Sequence, residues 1–68
     1  MNERSVLLFE VIKDCGKNIA ELADALSMDR STFYRKAKSP SSTFTVEQAI
    51  KLQQLTGMSK PRFEAIFF

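Results

Sequence analysis

Apolar residues recur along this chain at spacings of three and four, set off by short polar punctuation, and no useful length alternates with a period of two. The first such stretch covers about residues 3–15. Leu8, Val11, Ile12 and Cys15 fall at i, i+3, i+4 and i+7 and make one apolar helical face. Gly16 follows where a left-handed C′ residue is wanted. The second stretch, about residues 19–26, buries Ile19, Leu22, Ala23 and Leu26. It opens on Asn18, with Glu21 three residues on as the other half of a capping box. The third, about residues 30–38, starts at Asp29 and stops at Ser39-Pro40, because the residue before proline is pushed out of the helical region. Residues 39–44 read as a polar loop. The fourth helix, residues 46–56, has a capping box in Thr45-Val-Glu-Gln48, apolar positions at Val46, Ala49, Ile50, Leu52 and Leu55, and a stop at Gly57. The last, about residues 60–67, is capped by Ser59 and tolerates Pro61 in its first turn. The pattern predicts a single all-α domain of five helices over residues 1–68.

Size constrains this picture. A chain of 68 residues buries only ~60% of its unfolded surface, so its stability depends on compact helices. Cys15 is the only cysteine, and there is no histidine. An internal disulfide is therefore excluded and no metal framework is expected. Cysteine use and the absence of a signal peptide or a long apolar run point to a cytoplasmic protein with no membrane partner. No Gly-rich phosphate loop or nucleophile motif occurs, so neither enzymatic activity, a cofactor nor a small-molecule ligand is expected.

The net charge of +2 says less than its distribution. Residues 1–28 carry three Lys/Arg against five Asp/Glu, whereas residues 30–38 hold Arg30, Arg35, Lys36 and Lys38 and no acid. Positive charge on one short helix is an electrostatic footprint for nucleic acid. A solvated helix face is the plainer reading of the same residues.

The segment 19–38 combines a short helix, a tight turn and a second short helix. Leu22, Ala23, Leu26, Met28 and Phe33 stand at the positions such a motif buries, and the small Ala23 lets the helices cross closely. With Ser27 in the turn, this segment resembles the helix-turn-helix of the Cro/repressor family of phage and bacterial regulators. The loop after it and the helix up to Leu55 are similar to that family's five-helix, lambda-repressor-like plan, and the ending Phe63-Glu-Ala-Ile-Phe-Phe68 is similar to its small phage members. The resemblance implies that the second motif helix enters the major groove of operator DNA. Carried over by position, Arg30, Ser31, Thr32 and Arg35 would read base edges and Tyr34 would touch a phosphate or a thymine methyl. Lys36, Lys38 and the hydroxyl and N–H groups of Ser41, Ser42 and Thr43 would meet phosphates. The chain departs from the family at two places. Ile19 stands where a glutamine commonly supports the DNA contact. Ser27 replaces the turn glycine, at a site where positive φ costs a non-glycine residue ~1 kcal/mol.

Two functions fit these residues. One is a Cro-type transcriptional regulator that binds operator DNA as a homodimer and sets a phage genetic switch. The other is an antirepressor on the same scaffold, which grips a phage repressor protein. There, the acidic first half, Glu3, Glu10, Asp14, Glu21 and Asp24, would meet the repressor's basic DNA-reading surface, with Glu21 and Asp24 foremost. Val6, Leu7 and Phe9 of the first helix, left over from its core face, and Ile66, Phe67 and Phe68 at the far end would supply an apolar patch for a protein partner. Phe33, Phe44 and Phe63 fall at core spacing, and Cys15 is expected to be a small buried group.

Overall fold

In a computed structural model, which describes residues 2–68, the chain is all-helical. Its elements are α1 (Glu3–Asp14), α2 (Ile19–Ala25), α3 (Arg30–Ala37), α4 (Pro40–Thr43), α5 (Val46–Thr56) and α6 (Lys60–Phe67). The expected helices are all present within a residue or so of their expected ends. The sixth element is an addition. It is a single turn inside what the sequence presented as a polar loop.

Side chains from the sequence itself start five of the six helices. Asn2, Asn18, Asp29, Thr45 and Ser59 each accept a hydrogen bond from the backbone N–H three residues on. The capping boxes at Asn18/Glu21 and Thr45/Gln48 are both closed. α4 begins differently. Ser39 is extended in φ (−141°) and has no side-chain cap bond, and Pro40 takes the first helical position. The proline that ends α3 is thus also pre-organised to start the next turn.

α2 ends in a Schellman motif. The Met28 N–H donates to the Ala23 carbonyl (3.0 Å) and the Ser27 N–H to the Asp24 carbonyl (3.0 Å). Ser27 sits at C′ with φ 59°, as its place in the turn predicted, and it is the one non-glycine residue with positive φ among the described residues.

One core joins α1, α2, α3, α5 and α6, with Phe44 and Pro40 reaching in from the α4 turn. Leu8, Leu22, Phe33, Leu52 and Ile66 are fully enclosed. Rings link the second half of the chain. Phe33 lies edge-on to Phe44 (5.7 Å between centroids), Phe44 to Phe67 (5.9 Å), and Phe67 is tilted against Phe63 (5.3 Å). Such pairs contribute ~0.5–1.5 kcal/mol each beyond their burial.

This arrangement corrects several expectations. Ile66 and Phe67 are core residues and not a partner surface, because α6 packs on α1 and α4 with that side inward. Val46 and Ile50 are exposed, since the inward side of α5 is set by Ala49 and Leu52. Cys15 is only half-buried. It caps the C-terminus of α1, where its thiol donates to the Ile12 carbonyl at 3.1 Å. Ile19 packs, partly buried, against the core, which is a use for an apolar residue at that position.

Candidate nucleic-acid interface

α3 is anchored by two residues, Phe33 and Ala37, which are buried to the last few per cent. At about 100° per residue, this inward pair leaves Ser31, Arg35 and Lys38 on the opposite side. All three are exposed, as are Arg30 at the first turn and Tyr34 on one flank. Thr32 and Lys36, on the other flank, are half-buried. The basic segment therefore presents an outward ridge with two distinct margins.

The first margin faces α4. The Lys36 ammonium donates to the Thr43 carbonyl (2.9 Å), and the Thr43 hydroxyl lies 2.6 Å from the Lys36 carbonyl and 2.9 Å from the Ser39 carbonyl. A hydroxyl has one proton, and here it is committed to backbone carbonyls. The Ser42 and Thr43 N–H groups both donate to the Ser39 carbonyl, and the Ser42 hydroxyl reaches the same oxygen at 3.3 Å. The expectation that Ser42 and Thr43 offer free donors to phosphate is corrected accordingly. Their donors close the α4 turn, with only the long, exposed Ser42 hydroxyl bond easily exchanged. Lys36 keeps two N–H bonds beyond the one it spends on Thr43.

The second margin faces α1. The Tyr34 ring stacks on Phe9, with centroids 6.1 Å apart and planes 29° from parallel. Tyr34 is still about half exposed, at 48%. Phe9 and Leu7 are partly buried against the core, while Val6 stays exposed at 43%. Phe9, singled out as part of a separate protein-docking patch, thus shares one surface with Tyr34, singled out for DNA.

The N-terminal end of the ridge is governed by Asp29. Its carboxylate accepts the Thr32 N–H at 2.7 Å. That backbone bond is the main reason its carboxyl is held below the ordinary 3.8. The Thr32 hydroxyl and the nearby Arg35 charge act in the same direction, against a small opposing effect of desolvation. The first turn of α3 thus has one of its backbone N–H groups, that of Thr32, taken up by the protein's own anion. Arg35 leans back over the same turn, its Nη2 3.4 Å from the Thr32 hydroxyl oxygen. This bond is long and solvent-exposed, so it gives way readily to a better acceptor.

The acidic pair of α2 borders this same end, lining one shallow pocket with Asp29 and Arg30. Glu21 and Asp24 are exposed one turn apart on α2, with Glu21 half engaged in its capping box (Asn18 N–H to Oε1, 3.4 Å). Phe68 is exposed at 68% and rests against Phe63, so of the three terminal residues proposed for a partner it alone is available. Among the described residues no group of three or more His, Cys, Asp or Glu side chains gathers to hold a metal, and no helix is long and apolar enough to cross a membrane. The aromatic pairing of Phe9 with Tyr34 was not foreseen. Its only trace in the sequence is that Phe9 lies just outside the apolar stripe of α1. No family model, curated protein or solved structure matches the chain.

Proposed function

We propose that α2 and α3 form a helix-turn-helix that binds double-stranded DNA, and that the protein is a phage-type transcriptional regulator of the Cro kind acting on a genetic switch. The observation that carries this reading is the outward ridge of α3, where Ser31, Arg35 and Lys38 stand side by side on an exposed face with no acid between them. A helix of this size fits the major groove, and its long donors reach base edges there. Arg35 reads guanine O6/N7 once it releases Thr32, Ser31 supplies a short donor beside it, and Arg30 and Lys38 extend the contact at either end. Lys36 is already held in place by Thr43, so its phosphate contact costs little ordering of its side chain.

The test is titration of a fluorescent duplex carrying the protein's own promoter region at two salt concentrations. Sequence-dependent binding that weakens with salt and is lost in Arg30→Ala/Arg35→Ala is the expected result. Binding that is indifferent to sequence and to those arginines overturns it.

A second reading, an antirepressor that captures a phage repressor, is favoured by one observation. Glu21 and Asp24 form an exposed acidic pair on α2, bordering one shallow pocket with Asp29 and Arg30 at the start of α3. Its test is capture of the co-encoded repressor. Glu21→Gln/Asp24→Asn leaves the cap acceptor of Asn18 in place and is expected to abolish that capture. Unchanged capture by this variant rules the reading out.

A further inference from the structure

We propose that the DNA footprint does not end at α3 but crosses the Phe9–Tyr34 pair onto α1, where Lys13 takes a backbone phosphate and Phe9 acts as a positioning residue for Tyr34. The inference rests on the DNA reading of α3. Three observations support it.

The first is continuity. Tyr34 is the α3 residue next to the outward ridge on the α1 side, and its ring is stacked on Phe9 of α1. The exposed surface passes from Lys38 and Ser31 through Tyr34 to Phe9 without a gap between elements.

The second is charge. On α1, Lys13 is one turn beyond Phe9, on the same side, and it is exposed. Glu3, Glu10 and Asp14 are the acids of the exposed side, grouped about 100–140° around the helix from Phe9, with Glu10 about 60° beyond Lys13. Crossing from α3 to α1, the charges met in order are Arg35, Lys38 and then Lys13. A polyanion is complementary to that series.

The third is the state of Tyr34. A phenol that is half exposed yet fixed by a ring beneath it presents its hydroxyl at low conformational cost, as a phosphate contact needs. Phe9 supplies that fixation and does not itself touch DNA.

Tyr34 is the single tyrosine, and there is no tryptophan. Intrinsic fluorescence therefore reports on this one side chain. The experiment uses the full chain and a 20-bp duplex of mixed sequence, so that no operator need be known. Acrylamide quenching of Tyr34 is measured with and without duplex, and affinity is measured against salt for the wild type, Lys13→Gln and Phe9→Leu. Phosphate contacts set the salt slope at about 0.9 per charge neutralised.

The expected result is shielding of Tyr34 by duplex, a salt slope about one unit smaller in Lys13→Gln with unchanged thermal stability, and an unchanged slope in Phe9→Leu. Phe9→Leu should also lose about three-fold or more in affinity, with Tyr34 quenched more readily in the free protein. Phe9→Tyr, which keeps a ring under Tyr34 but adds a second fluorophore, is read by affinity alone and should restore it. If duplex binds and Arg35→Ala weakens it, yet Tyr34 is quenched equally in both states and the Lys13→Gln slope is unchanged, the footprint stops at α3 and the inference is wrong. If no salt-dependent binding occurs at all, the DNA reading itself has failed, and this inference with it.

Discussion

Lys36 and Thr43 hold each other reciprocally across seven residues. The lysine ammonium donates to the threonine carbonyl at 2.9 Å, and the threonine hydroxyl lies 2.6 Å from the lysine carbonyl. Both residues are half-buried, so water competes only partly for these bonds. The pair ties α4 to the C-terminal turn of α3 and sets how the basic ridge meets the rest of the fold. Thr43→Val keeps the shape but loses the hydroxyl, and it should lower stability by about 1 kcal/mol. Thr43→Ser should be nearly neutral. Lys36→Met should cost a similar amount. Because both bonds end on backbone carbonyls and tie the same two segments together, losing one loosens the other, and the double variant should lose less than the sum of the two. Urea unfolding of the four proteins checks this. Strictly additive losses would mean that the two bonds act independently.

Ser27 bears the turn between α2 and α3 at φ 59°, with its N–H and that of Met28 completing the end of α2. An L-residue with a Cβ pays ~1 kcal/mol to stand there. Ser27→Gly removes that cost and is expected to stabilise the fold by ~0.5–1 kcal/mol, partly offset by the freedom glycine gains in the unfolded chain. In a domain of this size that is a rise of about 2–8 °C in melting temperature. A fall in melting temperature would show that the serine hydroxyl contributes more than the backbone strain costs.

The helices were readable where chemistry repeats or punctuates. Asn18 with Glu21 and Thr45 with Gln48 announce two helix starts, and Gly16 and Gly57 two ends, because capping is a local matter of one side chain and one backbone group. α4 was not readable in the same way. Four residues make one turn, too short for any periodicity, and Pro40 carries opposite meanings for the helix before it and the turn after it. Val46 and Ile50 misled for another reason. An apolar residue within one turn of a core stripe can be buried or exposed, and on α5 the choice fell to the close fit of Ala49 and Leu52. The basic ridge was legible as composition. Its margins were not, because Lys36–Thr43 and Phe9–Tyr34 join residues of different helices.

The exposed end of α6 separates packing from partnership. Phe67 is 6% exposed and lies between Phe44 and Phe63, whereas Phe68, its neighbour, is 68% exposed and its ring pairs only with that of Phe63. Whole domains of this length are stable by roughly 3–10 kcal/mol. Phe67→Ala, at about 3–5 kcal/mol, should remove roughly a third or more of that and lower the melting temperature steeply. Phe67→Leu, which keeps much of the volume, should cost clearly less and leave a cooperative, weakened transition. Phe68→Ala should change stability by no more than about 0.5 kcal/mol. Circular dichroism melts of the three variants decide the matter. A large loss on truncating Phe68 would show that its contact with Phe63 counts as core packing.

Asp29 makes the fold sensitive to acid in a direction that can be worked out. Its carboxyl is held below 3.8 in the folded protein, chiefly because the charged form accepts the Thr32 N–H. The unfolded chain thus binds a proton more readily than the folded one over the interval between the two values. The cap's contribution is fully present above the ordinary value and is lost as pH falls through the lower, folded value. Asp29→Asn keeps an oxygen acceptor for the cap but cannot titrate. Over that acidic interval the wild type should lose stability with falling pH faster than Asp29→Asn, and the two curves should run parallel from pH 5 upward. Denaturant melts at closely spaced pH values measure both. Parallel curves throughout would mean that Asp29 binds its proton equally well in the folded and unfolded chain, and that the short bond to Thr32 does not depend on its charge.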